Sequence, residues 1–337
     1  MNHKSGGAVV LPKVIFGTSG LGNLYQSAPI EEKKEIIRQC IIHSEGKPVF
    51  DSAGKYGAGL SLEVLGQCLG ELNVDPDDVL ISNKLGWYRT ELSGPEPTFE
   101  KGVWVDIKHD AVQKISYSGI LECFEQGNLL LGNYRAQLVS VHDPDEYLAT
   151  ARDKSHEDEL YQEVLDAYMA LAELKTAGRV KAIGVGSKDW KVIRRIAADV
   201  KLDWVMVANC LTVISHPQEL LDFIAELQAK GISVINSAVF NGGFLTGSDY
   251  YNYQLVNKDT VAGEALYRWR SRFFELCNEY NLQPAEACFH FGFGIPGVDS
   301  IAMNTTRPQK VKVNIDMVNE QLPEEFWDAM HKEGLIK

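Results

Sequence analysis

Residues 49–85 read VFDSAGKYGAGLSLEVLGQCLGELNVDPDDVLISNKL, and this stretch decides the fold. Val49–Ala53 is a short strand-like run that ends in a glycine-rich turn at Gly54, Gly57 and Gly59. Leu60–Leu72 follows with Leu62, Leu65, Leu69 and Leu72 spaced three and four apart, the stripe of an amphipathic helix. Asp75-Pro76 breaks that helix, and Val79–Leu85 (VLISNKL) is strand-like again. Strand, helix, strand is the unit that builds a parallel sheet, because parallel neighbours need a crossover between them.

The same unit repeats outward in both directions. Val14–Ser19 (VIFGTS) and helical Ile30–His43 precede it. Downstream come helix-like Ser118–Leu131, the strand Gln137–Asp143 (QLVSVHD) and helix-like Leu160–Thr176, stopped by Gly178. Further strands are expected at Val180–Ser187, Trp204–Thr212, Ile232–Val239 and Ser300–Thr305, followed in turn by helices at Asp189–Ala198, Gln218–Lys230, Ala262–Tyr280 and Pro308–Asn319. Eight strands each followed by a helix predict an α/β protein, a single (β/α)8 barrel of the TIM type. No linker or low-complexity tract divides residues 1–337, so one domain is expected, with its core about 14–319 and a helical tail at 320–337. Two segments interrupt the rhythm, Gly86–Lys114 and Gly242–Thr260. Both follow strands, which places them on the C-terminal face, where barrel enzymes build their sites. Trp87, Tyr88, Phe99 and Trp104 in the first favour a structured, substrate-facing loop over disorder.

Composition removes several function classes. The chain carries 33 Lys and Arg against 46 Asp and Glu, a formal charge of −13. A surface this acidic repels phosphate backbones and anionic lipid, so neither nucleic acid nor a membrane is expected as a partner. No apolar run approaches the roughly 20 residues of a membrane span, and the first residues, MNHKSGG, lack the apolar segment of a signal peptide. Six scattered cysteines without a C-x-x-C pair argue against zinc clusters and disulfide frameworks, and suit a reducing cytoplasm. Cys123, Cys277 and Cys288 lie in apolar helical stripes and read as core. The eight histidines show no H-x-H or H-x-x-x-H pair, so no metal site is expected. Composition leaves the oligomeric state open.

Chemistry-bearing residues gather at strand ends. Asp51, Lys84 and His142 lie at the ends of three consecutive strands, and Tyr56 lies in the glycine-rich turn after the first of these. Adjacent parallel strands are ~4.8 Å apart, close enough for these groups to share one pocket. Each has a plain structural alternative: Asp as a helix cap, Lys as a solvated side chain, His as a loop organiser, Tyr as a packed turn residue.

FDSAGKYG at 50–57, the Lys84 of ISNK and VHD at 141–143 together resemble the catalytic segments of the aldo-keto reductases. The resemblance extends to FGTSGLG at 16–22, IGVGS at 183–187 and GFLTG at 243–247, and spans roughly Val14 to Asn319. VHDPD at 141–145 and ISYSGI at 115–120 are similar to the aldose 1-dehydrogenase branch, with its L-fucose, D-threo-aldose and L-galactose dehydrogenases. The resemblance implies the barrel independently of the strand count. It also implies that Tyr56 is the general acid/base, Lys84 the cation beside it, Asp51 the partner of Lys84, and His142 a hydrogen-bond donor to the reacting oxygen. A phenol of ordinary pKa ~10 needs such a cation to act as a base at neutral pH.

The implied cofactor is NAD or NADP. The Rossmann fingerprint G-x-G-x-x-G is absent, since Gly17, Gly20 and Gly22 are spaced three and two apart. The resemblance instead implies cofactor contacts from Gly17, Thr18, Ser187, Asn209, Ser237, Asn304, Thr305, Arg307, Lys310 and Asn314. Asn304-Thr305 stand where many NADP-using relatives have Lys-Ser, which favours NAD, although Arg307 or Lys310 offers a substitute cation; Lys310 reads equally as a solvated helix face. Asn209 reads equally as a buried structural amide. Ser237 stands where many relatives stack an aromatic on the nicotinamide. Trp87, Tyr88 and Trp104, with the Tyr250–Tyr253 stretch, are expected to wall the substrate. The implied activity is oxidation of the anomeric carbon of a free aldose such as L-fucose to its lactone. Two other readings stay open: a carbonyl reductase or dehydrogenase of a non-sugar substrate such as pyridoxal, and a non-catalytic dinucleotide-binding regulatory subunit.

Overall fold

The computed structural model describes residues 10–337. Eight parallel strands close into a barrel: β1 (Val14–Gly17), β2 (Val49–Ala53), β3 (Leu80–Leu85), β6 (Leu138–His142), β7 (Ala182–Ser187), β8 (Trp204–Ala208), β9 (Ser233–Ser237) and β12 (Ser300–Met303), with β12 pairing back onto β1. This is the (β/α)8 architecture expected from the repeat.

The two-residue period of each strand divides its side chains between barrel interior and helical shell. Ile15, Val49, Leu80, Leu138, Ala182, Trp204 and Ile235 form an apolar floor inside the barrel. Two or four residues further along the same faces stand Gly17, Asp51, Lys84, His142, Gly186, Ala208 and Ser237, which line the mouth. The alternate residues, such as Val139, Val141, Val205 and Val207, pack outward against helices. Gly184 is required by this stacking: a Cβ there would lie 2.2 Å from the Trp204 ring.

The shell helices are α1 (Ile30–His43), α2 (Leu60–Glu71), α3 (Tyr117–Leu130), α5 (Lys154–Thr176), α6 (Trp190–Asp199), α7 (Gln218–Ala229), α8 (Val261–Glu279) and α10 (Gln309–Asp316), with a short α4 (Pro144–Leu148) after β6. α5 begins six residues before its first apolar signal, where Asp153 caps it by accepting the His156 N–H. A helix that the strand–helix rhythm does not predict, α9 (Pro284–Gly294), follows α8. Its start carries Pro284 at the first helical position and a reciprocal bond from the Gln283 N–H to Glu286. The tail at 320–337 contains α11 (Glu324–Lys332), whose Phe326 and Met330 are buried against α8 and α9.

Three strands stop earlier than their apolar runs suggest. β6, β8 and β9 are each followed by a non-glycine residue with left-handed backbone: Asp143 (φ 46°), Asn209 (φ 61°) and Ala238 (φ 54°). Such conformations cost about 1–3 kcal/mol each and concentrate at functional sites. The segment Gly86–Lys114 is an antiparallel hairpin, β4 (Trp87–Glu91) with β5 (His109–Gln113), and its connecting loop lies over the barrel mouth. The second long segment carries the two-residue strands β10 (Tyr250–Tyr251) and β11 (Gln254–Leu255). Among the described residues, no helix is long and apolar enough to cross a membrane, and no His, Cys, Asp and Glu group is arranged to hold a metal.

Candidate active site

Register alone brings three of the expected groups together: Asp51 pairs with Ser82 on β3, Lys84 with Ser140 on β6, and His142 with Gly186 on β7. Asp51 sits mid-strand rather than at a strand end, but on the inward face. The Lys84 ammonium donates to Asp51 Oδ2 at 2.5 Å and to the Ser52 carbonyl at 3.2 Å. An ammonium has three donors, so one remains, and Lys84 Nζ lies 4.7 Å from the centroid of the Tyr56 ring. The His142 and Tyr56 rings meet edge to face at 5.7 Å. Gly57 makes the turn that presents Tyr56: its φ is +60°, and a Cβ there would meet the Gly22 carbonyl oxygen at 2.4 Å.

Burial dominates the electrostatics. It pushes the Tyr56 phenol well above its ordinary pKa of 10, and Asp51, Tyr253 and Asp143 push it further, so the resting phenol holds its proton. Burial, with Lys84 and Lys55 beside it, lowers His142 well below 6.5 and keeps its imidazole neutral. His142 Nδ1 has no partner, while Nε2 lies 3.5 Å from Asp143 Oδ2. A neutral imidazole has one N–H donor and can offer it to an oxygen in the mouth.

His142 bears on acid stability along with His216 and His290, both also lowered by burial. The unfolded chain takes up protons at these positions near pH 6.5, whereas the folded chain resists until lower pH. Stability is therefore expected to fall as pH drops below 6.5. Calorimetry at pH 7.5, 6.5 and 5.5 should show a declining melting temperature; a constant or rising one would contradict the buried neutral state.

A cleft of about 550 Å³ opens over these groups. Of the residues expected to contact a cofactor, Gly17, Ser187, Asn209, Ser237 and Asn304 line it. Asn209 is 5% exposed, yet neither its amide oxygen nor its amide nitrogen has a partner. A buried donor and acceptor on one side chain suit an amide-bearing ligand such as nicotinamide, so these residues fit a dinucleotide. Ser237 donates to the Val207 carbonyl at 3.2 Å, and the aromatic side chains along the cleft are Tyr25, Tyr56, Trp104, Phe240 and Tyr253.

Other expected residues lie elsewhere. Thr18 does not reach the cleft: its hydroxyl donates to the Asp51 carbonyl at 3.0 Å and accepts from Ser61 at 2.8 Å, which ties β1 to β2 and α2. Thr305 and Asn314 line a separate cavity of about 20 Å³ between α1 and α10. Arg307 and Lys310 are exposed and form no ion pair among the described residues. Trp104 walls the cleft, but Trp87 and Tyr88 do not. As a hairpin strand, β4 turns Trp87 onto Phe99 at 5.4 Å and Tyr88 toward Lys114 and the outer core. Of the Tyr250–Tyr253 stretch, Asn252 and Tyr253 line the cleft, while Tyr250 packs on Tyr25 at 6.1 Å.

The structure adds a group of charges that sequence reasoning passed over. Lys55, beside Tyr56 in the turn, is 3% exposed and pairs with Glu100 at 2.9 Å, Asp143 at 3.2 Å and Glu146 at 2.7 Å. Burial alone would lower its pKa, but Asp143, Glu100 and Glu146 together outweigh that and hold the ammonium protonated. Lys188 joins through Glu146 at 2.5 Å. The signal was a lysine inside a glycine-rich turn otherwise too tight for a solvated side chain.

Comparisons with known proteins bear on the family and the fold. The chain is 27% identical to pyridoxal 4-dehydrogenase of Microbacterium luteolum, covering 95% of this chain and 93% of that protein. It is 25% identical to D-threo-aldose 1-dehydrogenase of a Pseudomonas species, covering 97% and 95%. The holo form of an aldo-keto reductase from Bacillus halodurans has the same fold, with a TM-score of 0.69 at 18% identity over 96% of this chain and 92% of that one. The Aldo/keto reductase family model matches residues 13–333, almost the whole barrel and its tail, and the chain belongs to that family.

Proposed function

We propose that this oxidoreductase oxidises the anomeric carbon of a free aldose to the lactone, with NAD as its dinucleotide. The observation that carries the reading is the meeting of Tyr56, Lys84 and His142 beneath a polar cleft with one large indole wall. Asn252 and Gln254 supply hydroxyl-binding groups, and Trp104 supplies an apolar face for the C–H side of a pyranose. The relatives named for D-threo-aldose and for pyridoxal point to the same chemistry. Each of those compounds can close its aldehyde onto its own hydroxyl as a cyclic hemiacetal, and removing hydrogen from that carbon gives a lactone.

Bound dinucleotide supplies the two-electron acceptor at the nicotinamide ring. Ser187 and Asn209 would hold its amide end, and Gly17 and Asn304 would flank it. The chain's own part is the proton. Tyr56, as the phenolate that Lys84 stabilises, takes the proton from the anomeric hydroxyl and ends as the phenol, while Asp51 keeps Lys84 in place. His142 donates its N–H to the same oxygen. This direction requires the phenolate, whereas reduction requires the phenol that the resting site holds.

A spectrophotometric panel tests the reading with L-fucose, other free aldoses, pyridoxal and a simple aldehyde, each with NAD and NADP. Reduced NAD should accumulate with at least one aldose and not with its methyl glycoside, whose anomeric oxygen is blocked. No response to any aldose would overturn the reading, and a response to pyridoxal alone would transfer it to the other hemiacetal class.

A further inference from the structure

Glu100 stands at a junction that the reaction does not by itself explain. It lies in the loop between β4 and β5, with a left-handed backbone at φ 41°. One carboxylate oxygen, Oε1, lies 2.9 Å from Lys55 Nζ, in the turn that carries Tyr56. The other, Oε2, accepts the Trp104 indole N–H at 2.7 Å. Trp104 in turn packs against Tyr56, ring centroids 5.8 Å apart. The loop is also stitched to the segment after β1: the Tyr25 N–H donates to the Val103 carbonyl at 2.8 Å, and the Val105 N–H to the Asn23 carbonyl at 3.1 Å. Beneath it, Ala58, Phe99, Trp104 and Ala111 form a small apolar cluster.

We propose that Glu100 is a positioning and specificity-determining residue, a latch that joins the hairpin loop to Lys55 and sets the Trp104 indole as the wall of the substrate pocket beside Tyr56. The proposal rests on the reading of this cleft as the site of turnover. Two features favour a latch over a general stabiliser. Lys55 keeps Asp143 and Glu146 when Glu100 is lost, so no buried charge is stranded and the barrel is undisturbed. The bond to Trp104, by contrast, comes from Glu100 alone, and the side chain spends both oxygens on fixing the loop.

Two variants separate the roles. Glu100→Ala removes both bonds, while Glu100→Gln keeps an acceptor for the indole and loses the charge. A hydrogen bond to a charged group is worth about 1.5–3 kcal/mol, or roughly 10–100-fold. Glu100→Ala should raise KM for the aldose by about that factor, leave kcat within about threefold, and leave the dissociation constant of NAD unchanged. Amide hydrogen exchange over residues 99–106 should quicken by a similar factor, while exchange in the barrel strands stays as it was. Glu100→Gln should recover most of both effects. Equal losses in kcat and kcat/KM, or unchanged exchange in the loop, would overturn the proposal. Exchange is read without substrate, so a panel in which no aldose responds would defeat the proposed function and leave this test standing.

Discussion

Tyr56→Phe is expected to lower turnover by about 10²–10⁴-fold, the range that positioned proton transfer supplies, while the dissociation constant of the dinucleotide changes little. The phenyl ring keeps the contacts with Trp104 and His142, so the loss isolates the hydroxyl. The raised pKa of Tyr56 adds a signature in pH. Below the phenol pKa, the phenolate fraction grows tenfold per pH unit, so aldose oxidation should accelerate steadily from pH 7 through 9. Carbonyl reduction, which uses the protonated form, should be flat over the same range. Near-wild-type turnover by Tyr56→Phe would remove the assignment. An oxidation rate already level at pH 7 would mean that Lys84 outweighs burial once ligands are bound.

Lys84→Met should be nearly as damaging to turnover and, unlike Tyr56→Phe, costly to the fold. Both side chains of the Lys84–Asp51 pair are buried, at 3% and 4% exposure. Removing one member of a buried pair strands the other charge and costs about 3–5 kcal/mol. Asp51 is the more exposed to this because its Oδ1 already has no partner. Lys84→Met combined with Asp51→Asn should regain part of the stability and none of the turnover. Denaturant unfolding beside initial rates checks both halves. If the double variant were no more stable than the single, a stranded carboxylate would not be the cause.

The barrel was legible because its strands and helices carry different periods, and because the polar mouth residues sit two or four positions past the floor residues of the same strands. Asp51, Lys84 and His142 could be found that way, and their convergence is a consequence of parallel pairing. Thr18 could not be placed so, since whether a hydroxyl faces a cleft or a neighbouring carbonyl depends on the turn after β1, which has no period. The same holds for Trp87 and Tyr88, where aromatic content suggested a wall but the alternation of an unexpected hairpin turned both away. Lys55 and Glu100 lie 45 positions apart and meet only because two irregular segments fold over one mouth. α9 escaped the strand–helix rhythm because a second helix between β9 and β12 breaks the one-to-one rule, although Gln283, Pro284 and Glu286 carry a helix-start signature.

Transfer of hydrogen from the anomeric carbon is the centre of this account, and deuterium at C1 of a free aldose follows it directly. With NAD and the wild-type protein, the label should appear in the reduced dinucleotide in step with formation of the lactone. Deuterium retained in the sugar, or reduced dinucleotide formed without it, would contradict the account.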